Sequence, residues 1–375
     1  MSIHYVGLVD QWESEKNDLI PIIEKLLSKG LYVNAPENKQ FEEKIAKLCN
    51  TKYAVGLNSG TDALTFALYF SGVRQGDEVI TVPNSFIATA AVIVHLGAKP
   101  IFVDVDQDQN INIDLIEKVI TTKTKAILPV HLSGRIANMN KILKIAKKYD
   151  ISVIEDAAQA IGSLYYNKPS GSFGKVGCFS THPLKNLNSC GDGGFITTND
   201  KFIYEQVNFI SSHGLVNRDK STHFGFVSRM DSVQAVILNY RLLRLDEYIS
   251  KRRENAQYYF NNLNSNYVKL PYEKKFEFNT YHTFVIQVEE RDALQSYLKE
   301  NDIITAIHYP IPIHLQPAAS KLGYKKGDFP IVERQSGTIL TLPVHQYLTK
   351  TDLETNLEDW SKELERIKKE YNEKI

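Results

Sequence analysis

A chain of 375 residues with 43% hydrophobic and 23% charged side chains has an ordinary folded composition and exceeds the usual single core, so one large and one smaller domain are expected. Its 44 basic residues balance 44 acidic ones, which excludes a global field that would steer it to nucleic acid or an anionic membrane; an anionic substrate must be met by local charge. Cys49, Cys178 and Cys190 lack the spacing of a disulfide framework, a zinc site or an iron–sulfur cluster. No secretory signal or bilayer-length apolar run is visible, so the cytoplasm is the expected compartment.

In chain order, the spacing predicts a strand over 53–57, a turn at Asn58-Ser59-Gly60-Thr61 and a helix over 62–71. Strands follow over 78–81, 100–105, 126–130 and 151–155, separated by helices over 87–96 and 138–149. This alternation implies an α/β fold with a mostly parallel sheet covered on both faces. Beyond Gly194 the texture changes. Residues 233–259 read as one helix whose run Lys251-Arg252-Arg253 is a solvated face, and 274–280 as a polar loop. Residues 283–288, 294–300 and 303–307 form a small α+β unit, and a charged helix covers 350–374. The division falls near residue 245, giving a large domain over 1–245 and a small C-terminal domain over 246–375.

Three places carry chemistry. At Ser59-Gly60-Thr61-Asp62 a strand runs through a Gly-containing turn into a helix, so free backbone N–H groups and the helix dipole favour a phosphate; the alternative is a plain cap, with Ser59 or Thr61 as the N-cap. Glu155-Asp156-Ala157-Ala158-Gln159 follows a strand, where open parallel sheets gather ligands; either acid could fix a cation or merely cap the next helix. In Phe179-Ser180-Thr181-His182-Pro183-Leu184-Lys185-Asn186-Leu187, with Gly191-Asp192-Gly193-Gly194 after it, Lys185 sits between a strand-like segment and a Gly-rich turn. A lysine held inside a cleft loses solvation and becomes nucleophilic, whereas one on an open loop does nothing. His182 has no partner at metal-ligand spacing, and packing or a hydrogen bond is its simpler role.

The order SGTDAL, EDAAQA, FSTHPLKNL and GDGG resembles the DegT/StrS family of pyridoxal 5′-phosphate (PLP)-dependent sugar aminotransferases. Gly30 to Val33 with Phe41-Glu42, the run PNSFIAT from Pro83, PVHL from Pro129, the segment 226–234 and HYPIPIH from His308 agree with it, from about residue 7 to about 345. The resemblance implies an aspartate aminotransferase-like, fold type I transferase. It gives Lys185 the cofactor aldehyde as a Schiff base, Asp156 the ring nitrogen, Gln159 the phenolic oxygen and Phe86 the ring face. Gly60, Thr61 and Ser180 would hold the phosphate. Family members often carry Asn where this chain has Val227, a residue thought to reach the cofactor phosphate of a neighbouring subunit; Ser228 or Arg229 is the candidate replacement.

The implied reaction moves the amino group of L-glutamate onto C3 or C4 of a nucleotide-linked keto sugar, with a weak lean to 3-keto-6-deoxy sugars, for amino-sugar synthesis in bacterial surface glycans such as lipopolysaccharide or O-antigen. His308, Tyr309, His314 and Arg218 are candidate substrate contacts, with loop packing an equal alternative. A homodimer with active sites at its interface is expected, closed twofold assembly being the commonest. Two other readings compete. A PLP-dependent sugar dehydratase of the same fold would carry His at the lysine position or an iron–sulfur cluster. A non-catalytic regulatory protein would have no use for Lys185, Asp156 and Gln159 together.

Overall fold

A computed structural model describes residues 2–263, 266–355, 363 and 365–366. Helices α1 (Leu8–Leu27) and α2 (Pro36–Leu48) open the chain, followed by β1 (Tyr53–Leu57), α3 (Gly60–Phe70), β2 (Glu78–Thr81), α4 (Ala88–His95) and β3 (Lys99–Phe102). Next come α5 (Ile113–Ile116), β4 (Thr124–Ile127), α6 (Met139–Tyr149), β5 (Ser152–Asp156), the short β6 (Leu164–Tyr165) and β7 (Lys168–Pro169), β8 (Val176–Ser180), β9 (Gly194–Thr198) and α7 (Lys201–Ile210). The remainder comprises β10 (Leu215–Asn217), β11 (Lys220–Ser221), α8 (Ser232–Leu242), α9 (Leu245–Asn262), β12 (Glu277–Phe278), β13 (Phe284–Gln287), α10 (Arg291–Glu300), α11 (Pro330–Thr338), β14 (Ile339–Leu342) and α12 (Lys350–Thr355).

The central sheet has seven strands in the order β1-β9-β8-β5-β4-β2-β3. Pairings from β3 through β8 are parallel, and β9 runs antiparallel to both its neighbours, so the sheet is mostly parallel with one reversed strand. Successive residues point to opposite faces, and both faces are covered. Ile80, Ile127 and Val153 join one buried cluster, while Val79, Ala126, Leu128 and Ile154 join the other. A third core gathers Tyr259, Phe284, Ile286, Leu294, Leu298, Leu340 and Leu342 around the antiparallel pair β13–β14. The N-terminal end lies against this third region, with Ile3 bridging Ile303 in parallel register.

Several expectations are corrected. The segment 233–259 is two helices, not one: the chain leaves α-geometry at Arg244 (φ −107°, ψ 0°), beside Leu243, which is 77% exposed. Arg252 is buried, not solvated. Its guanidinium donates to the Gln346 side chain at 3.0 Å and to the carbonyls of Tyr281 and His282 at 3.3 and 3.2 Å, acceptors that long-range folding delivers. Residues 303–307 form isolated bridges rather than a strand, and part of 274–280 forms β12, which pairs with β6. The helix expected over 350–374 is described only to Thr355; most of the rest lies outside the described residues. Among the described residues no helix is long and apolar enough to cross a membrane.

Candidate active site

The carboxyl ends of the parallel strands open into a cavity of about 490 Å³. Of the residues singled out in the sequence, Gly60, Thr61, Phe86, Asp156, Gln159, Ser180, Lys185, His308 and Tyr309 line it together.

Lys185 rides on the loop between β8 and β9, and the residues after it explain its aim. Asn186 turns away to donate to the Thr280 carbonyl at 3.2 Å, and Leu187 packs into a core with Phe41 and Phe179. Asn188 donates to Gln11 at 2.9 Å and to the Pro183 carbonyl at 2.7 Å, while Arg241 donates to the Asn188 carbonyl at 2.8 Å. With these neighbours committed elsewhere, the lysine side chain is left facing the cavity. Burial pulls its ammonium down to about 8, against the opposing charge of Asp156, so about a tenth is the neutral, nucleophilic amine at pH 7, far more than for a free lysine.

Asp156 ends β5 and is 5% exposed. The Thr89 hydroxyl donates to it at 2.7 Å and the Ala158 N–H at 3.3 Å, yet among the described residues it forms no ion pair. Burial pushes its carboxyl up, with Thr89, Ala158, Lys185 and His131 pulling the other way. A buried carboxyl in this condition gains most from a cation set against it. Glu155 is of another kind. It faces a dry interior, accepting from the N–H groups of Gly171, Phe173 and Gly174 at 2.7–2.8 Å. Nε2 of His131 lies 3.0 Å from it; the Ala137 N–H donates to Nδ1 of that ring, so the neutral tautomer carries its proton on Nε2 and donates to Glu155.

The phosphate-like corner is the start of α3. Ser59, the N-cap, accepts from the Asp62 N–H at 3.1 Å, which settles the capping alternative between Ser59 and Thr61. The Ala63 N–H returns to the Ser59 carbonyl, so the Gly60 and Thr61 N–H groups remain for a ligand, with no acceptor among the described residues. A Cβ on Gly60 would sit 2.8 Å from Cβ of Ser180, so only glycine lets the helix start approach β8 this closely. Gln159 accepts from the Ser133 N–H at 2.7 Å, which fixes its amide so that the nitrogen donates to the Tyr309 hydroxyl at 3.3 Å. Phe86 is 58% exposed, with its ring centroid 6.1 Å from that of Tyr309.

Two candidates are not brought to this cavity. His314 is buried 3.0 Å from Glu333, which also accepts from the Gly327 and Phe329 N–H groups; it packs a C-terminal loop. Arg218 lies between β10 and β11 on an exposed hairpin. Ser228 is also committed, its hydroxyl donating to Asn58 at 3.1 Å, so it does not stand in for the side chain that Val227 lacks. His182, by contrast, does line the cavity; it is exposed, and its Nδ1 accepts from the Leu184 N–H at 3.3 Å.

The sequence reading missed Thr89, His282 and Tyr5, all of which line the cavity. Thr89 lies inside the matched run PNSFIAT, where its spacing from Phe86 was a usable signal. His282 and Tyr5 come from distant segments and leave none. The donor set fits PLP: two N–H groups without an acceptor among the described residues and a hydroxyl for a phosphate, a buried carboxyl with no ion pair among those residues for a ring nitrogen, an aromatic face, and an amine of depressed basicity for an aldehyde.

A sequence model described as the DegT/DnrJ/EryC1/StrS aminotransferase family matches residues 13–358. The chain is similar to a protein named pleiotropic regulatory protein from Geobacillus stearothermophilus, 39% identical over 92% of this chain and 94% of that protein. It is also similar to the dTDP-3-amino-3,6-dideoxy-alpha-D-galactopyranose transaminase of Aneurinibacillus thermoaerophilus, 40% identical over 89% of this chain and 92% of that enzyme. The crystal structure of NtdA from Bacillus subtilis with bound cofactor PMP superposes with a TM-score of 0.91 at 31% identity, covering 97% of this chain and 85% of that one.

Proposed function

The chain belongs to the DegT/DnrJ/EryC1/StrS aminotransferase family, and from that premise we propose that it moves an amino group from L-glutamate to C3 of a nucleotide-linked keto sugar. It is a PLP-dependent aminotransferase. When bound, the cofactor supplies an electron sink for a carbanion at the donor's α-carbon and a carrier for nitrogen between the two substrates. The observation that carries the site assignment is the meeting, in one cavity, of a lysine whose ammonium is pulled down to about 8 with a buried carboxyl that has no ion pair among the described residues.

In this reading Lys185 holds the cofactor covalently and, once displaced by donor, moves a proton at the donor α-carbon with its Nζ, a task suited to an amine that titrates near 8. Asp156, oriented by Thr89, keeps the ring nitrogen protonated. Gly60, Thr61 and Ser180 hold the phosphate, Phe86 covers the ring and excludes water, and Gln159 orients the phenolic side. His308 and Tyr309 face the sugar. The division at residue 245 belongs to the same reading. His314 is dropped from it, since Glu333 and the loop around it use that ring. Arg218 enters only through a second copy of the chain in a homodimer with sites at the interface. The choice of C3 and of a nucleotide carrier is supported by the name of the Aneurinibacillus relative.

The name of the Geobacillus relative gives a regulatory protein some standing as a second reading. One experiment separates them. Protein loaded with PLP and given L-glutamate is expected to release one 2-oxoglutarate per site, and borohydride reduction followed by peptide mapping should find the cofactor on Lys185. No 2-oxoglutarate would favour the regulatory reading, and label on another lysine would end the site assignment.

A further inference from the structure

The N-terminal strap adds a residue to the cavity that nothing in the sequence motifs marks. The Ile3 N–H donates to the Asp302 carbonyl at 2.7 Å, the Ile304 N–H to the Ile3 carbonyl at 2.8 Å, and Nε2 of His345 lies 3.0 Å from the His4 carbonyl. These bonds fix the strap on the C-terminal region and leave Tyr5 and Val6 lining the cavity. The Tyr5 ring lies 5.7 Å from that of His308 at 51°. Among the described residues its hydroxyl has no hydrogen-bond partner, although the ring is half-buried.

That wall is neutral. Burial, then the charge of Lys185, pulls His308 down to about 4, so its ring is uncharged near neutral pH, and the Thr341 hydroxyl, 2.9 Å away, occupies Nδ1. The Tyr309 hydroxyl receives the Gln159 amide. Aromatic faces with uncharged donors and acceptors suit a pyranose, which shows C–H faces and hydroxyls. They do little for a dicarboxylic amino acid, which needs cations.

We propose that Tyr5 is a specificity-determining residue that hydrogen-bonds a hydroxyl of the nucleotide-linked sugar and plays no part in recognising the amino donor. The proposal rests on the aminotransferase reading above. The test compares wild type and Tyr5→Phe in the two half-reactions, followed by cofactor absorbance in single turnover. The first uses L-glutamate; the second uses whichever dTDP-, UDP- or GDP-linked 3-amino sugar wild type converts fastest, as amino donor in the reverse direction. Removing a hydrogen bond made to substrate is expected to lower kcat/KM for the sugar by about tenfold or more, while the glutamate half-reaction stays within about twofold. A loss shared by both half-reactions, or by neither, overturns the proposal. Wild type that reacts with glutamate but with no sugar of the panel removes the sugar assignment and Tyr5 with it. Wild type inert to glutamate removes the aminotransferase reading itself.

Discussion

Lys185 and Asp156 each depart from their ordinary acid–base behaviour for the same reason, loss of water, and the consequences can be measured separately. For the lysine the folded value of about 8 lies below the unfolded 10.5, so between those values the unfolded chain binds more protons. Burying the amine therefore costs stability in full below pH 8, and the cost fades as pH rises towards 10.5. If Lys185 holds the cofactor as proposed, the same titration governs its capture by apoprotein, because only the neutral amine attacks an aldehyde. The capture rate, read by stopped-flow absorbance, is expected to climb about tenfold per unit up to pH 8 and then level; a flat profile from pH 6 to 9 would remove Lys185 from that role. For Asp156 the sensitive partner is Thr89, whose hydroxyl is 2.7 Å away. Hydrogen bonds to charged groups contribute about 1.5–3 kcal/mol, so Thr89→Val is expected to weaken PLP binding by roughly tenfold or more in an absorbance titration, while Thr89→Ser retains most of the affinity. Equal affinities for Val and Ser would mean that the hydroxyl does not act through Asp156.

The elements nearest the cofactor corner were the most legible. The segments 53–57 and 78–81 are strands with those bounds, because turn residues flank short apolar runs. The corner at 58–62 was readable as a turn into a helix start, because a strand, a capping serine and a glycine follow one another in the chain. What could not be read is whatever distant segments supply. Nothing local says that Arg252 is buried, since its acceptors lie at 281–282 and 346, or that the helical stretch 233–259 breaks at Arg244. The lysine loop depends on such distant support. Glu15 on α1 and Arg241 on α8 form a buried ion pair at 2.8 Å; Tyr248 on α9 donates to the same carboxylate at 2.7 Å, and Arg241 passes the contact to Asn188. Removing one side of such a pair strands the other charge, at a cost of about 3–5 kcal/mol. Glu15→Ala is therefore expected to lower the urea midpoint markedly and to loosen the loop that carries Lys185, slowing cofactor capture. An unchanged midpoint would show that the pair is not closed in solution.

At the scale of the whole molecule, one exposed apolar surface bears on the proposed homodimer. The segment 212–228 is tied at its base: the His213 N–H donates to the Phe226 carbonyl at 2.9 Å and the Phe226 N–H to the Ile210 carbonyl at 2.7 Å. The segment carries Leu215, Val216, Phe224, Phe226 and Val227, all exposed, with Phe224 wholly so. Apolar side chains concentrated on one ordered projection mark an interaction surface, and Arg218 sits at the turn of the same hairpin, away from its own cavity. Under the proposed homodimer both facts would have one cause: the apolar residues would become interface, and Arg218 would be delivered to the partner's site. In a twofold interface each residue counts twice. Burying a Phe contributes about 1.5–3 kcal/mol, so Phe224→Glu removes roughly twice that and adds repulsion, enough to move dissociation by two orders of magnitude or more. Sedimentation velocity should then find the wild type as a dimer and the variant as a monomer over micromolar concentrations. If the site is shared between subunits, the monomer also loses sugar turnover, and its far-UV circular dichroism is unchanged. A variant that stays dimeric, or a wild type that is fully active as a monomer, would dispose of the shared site.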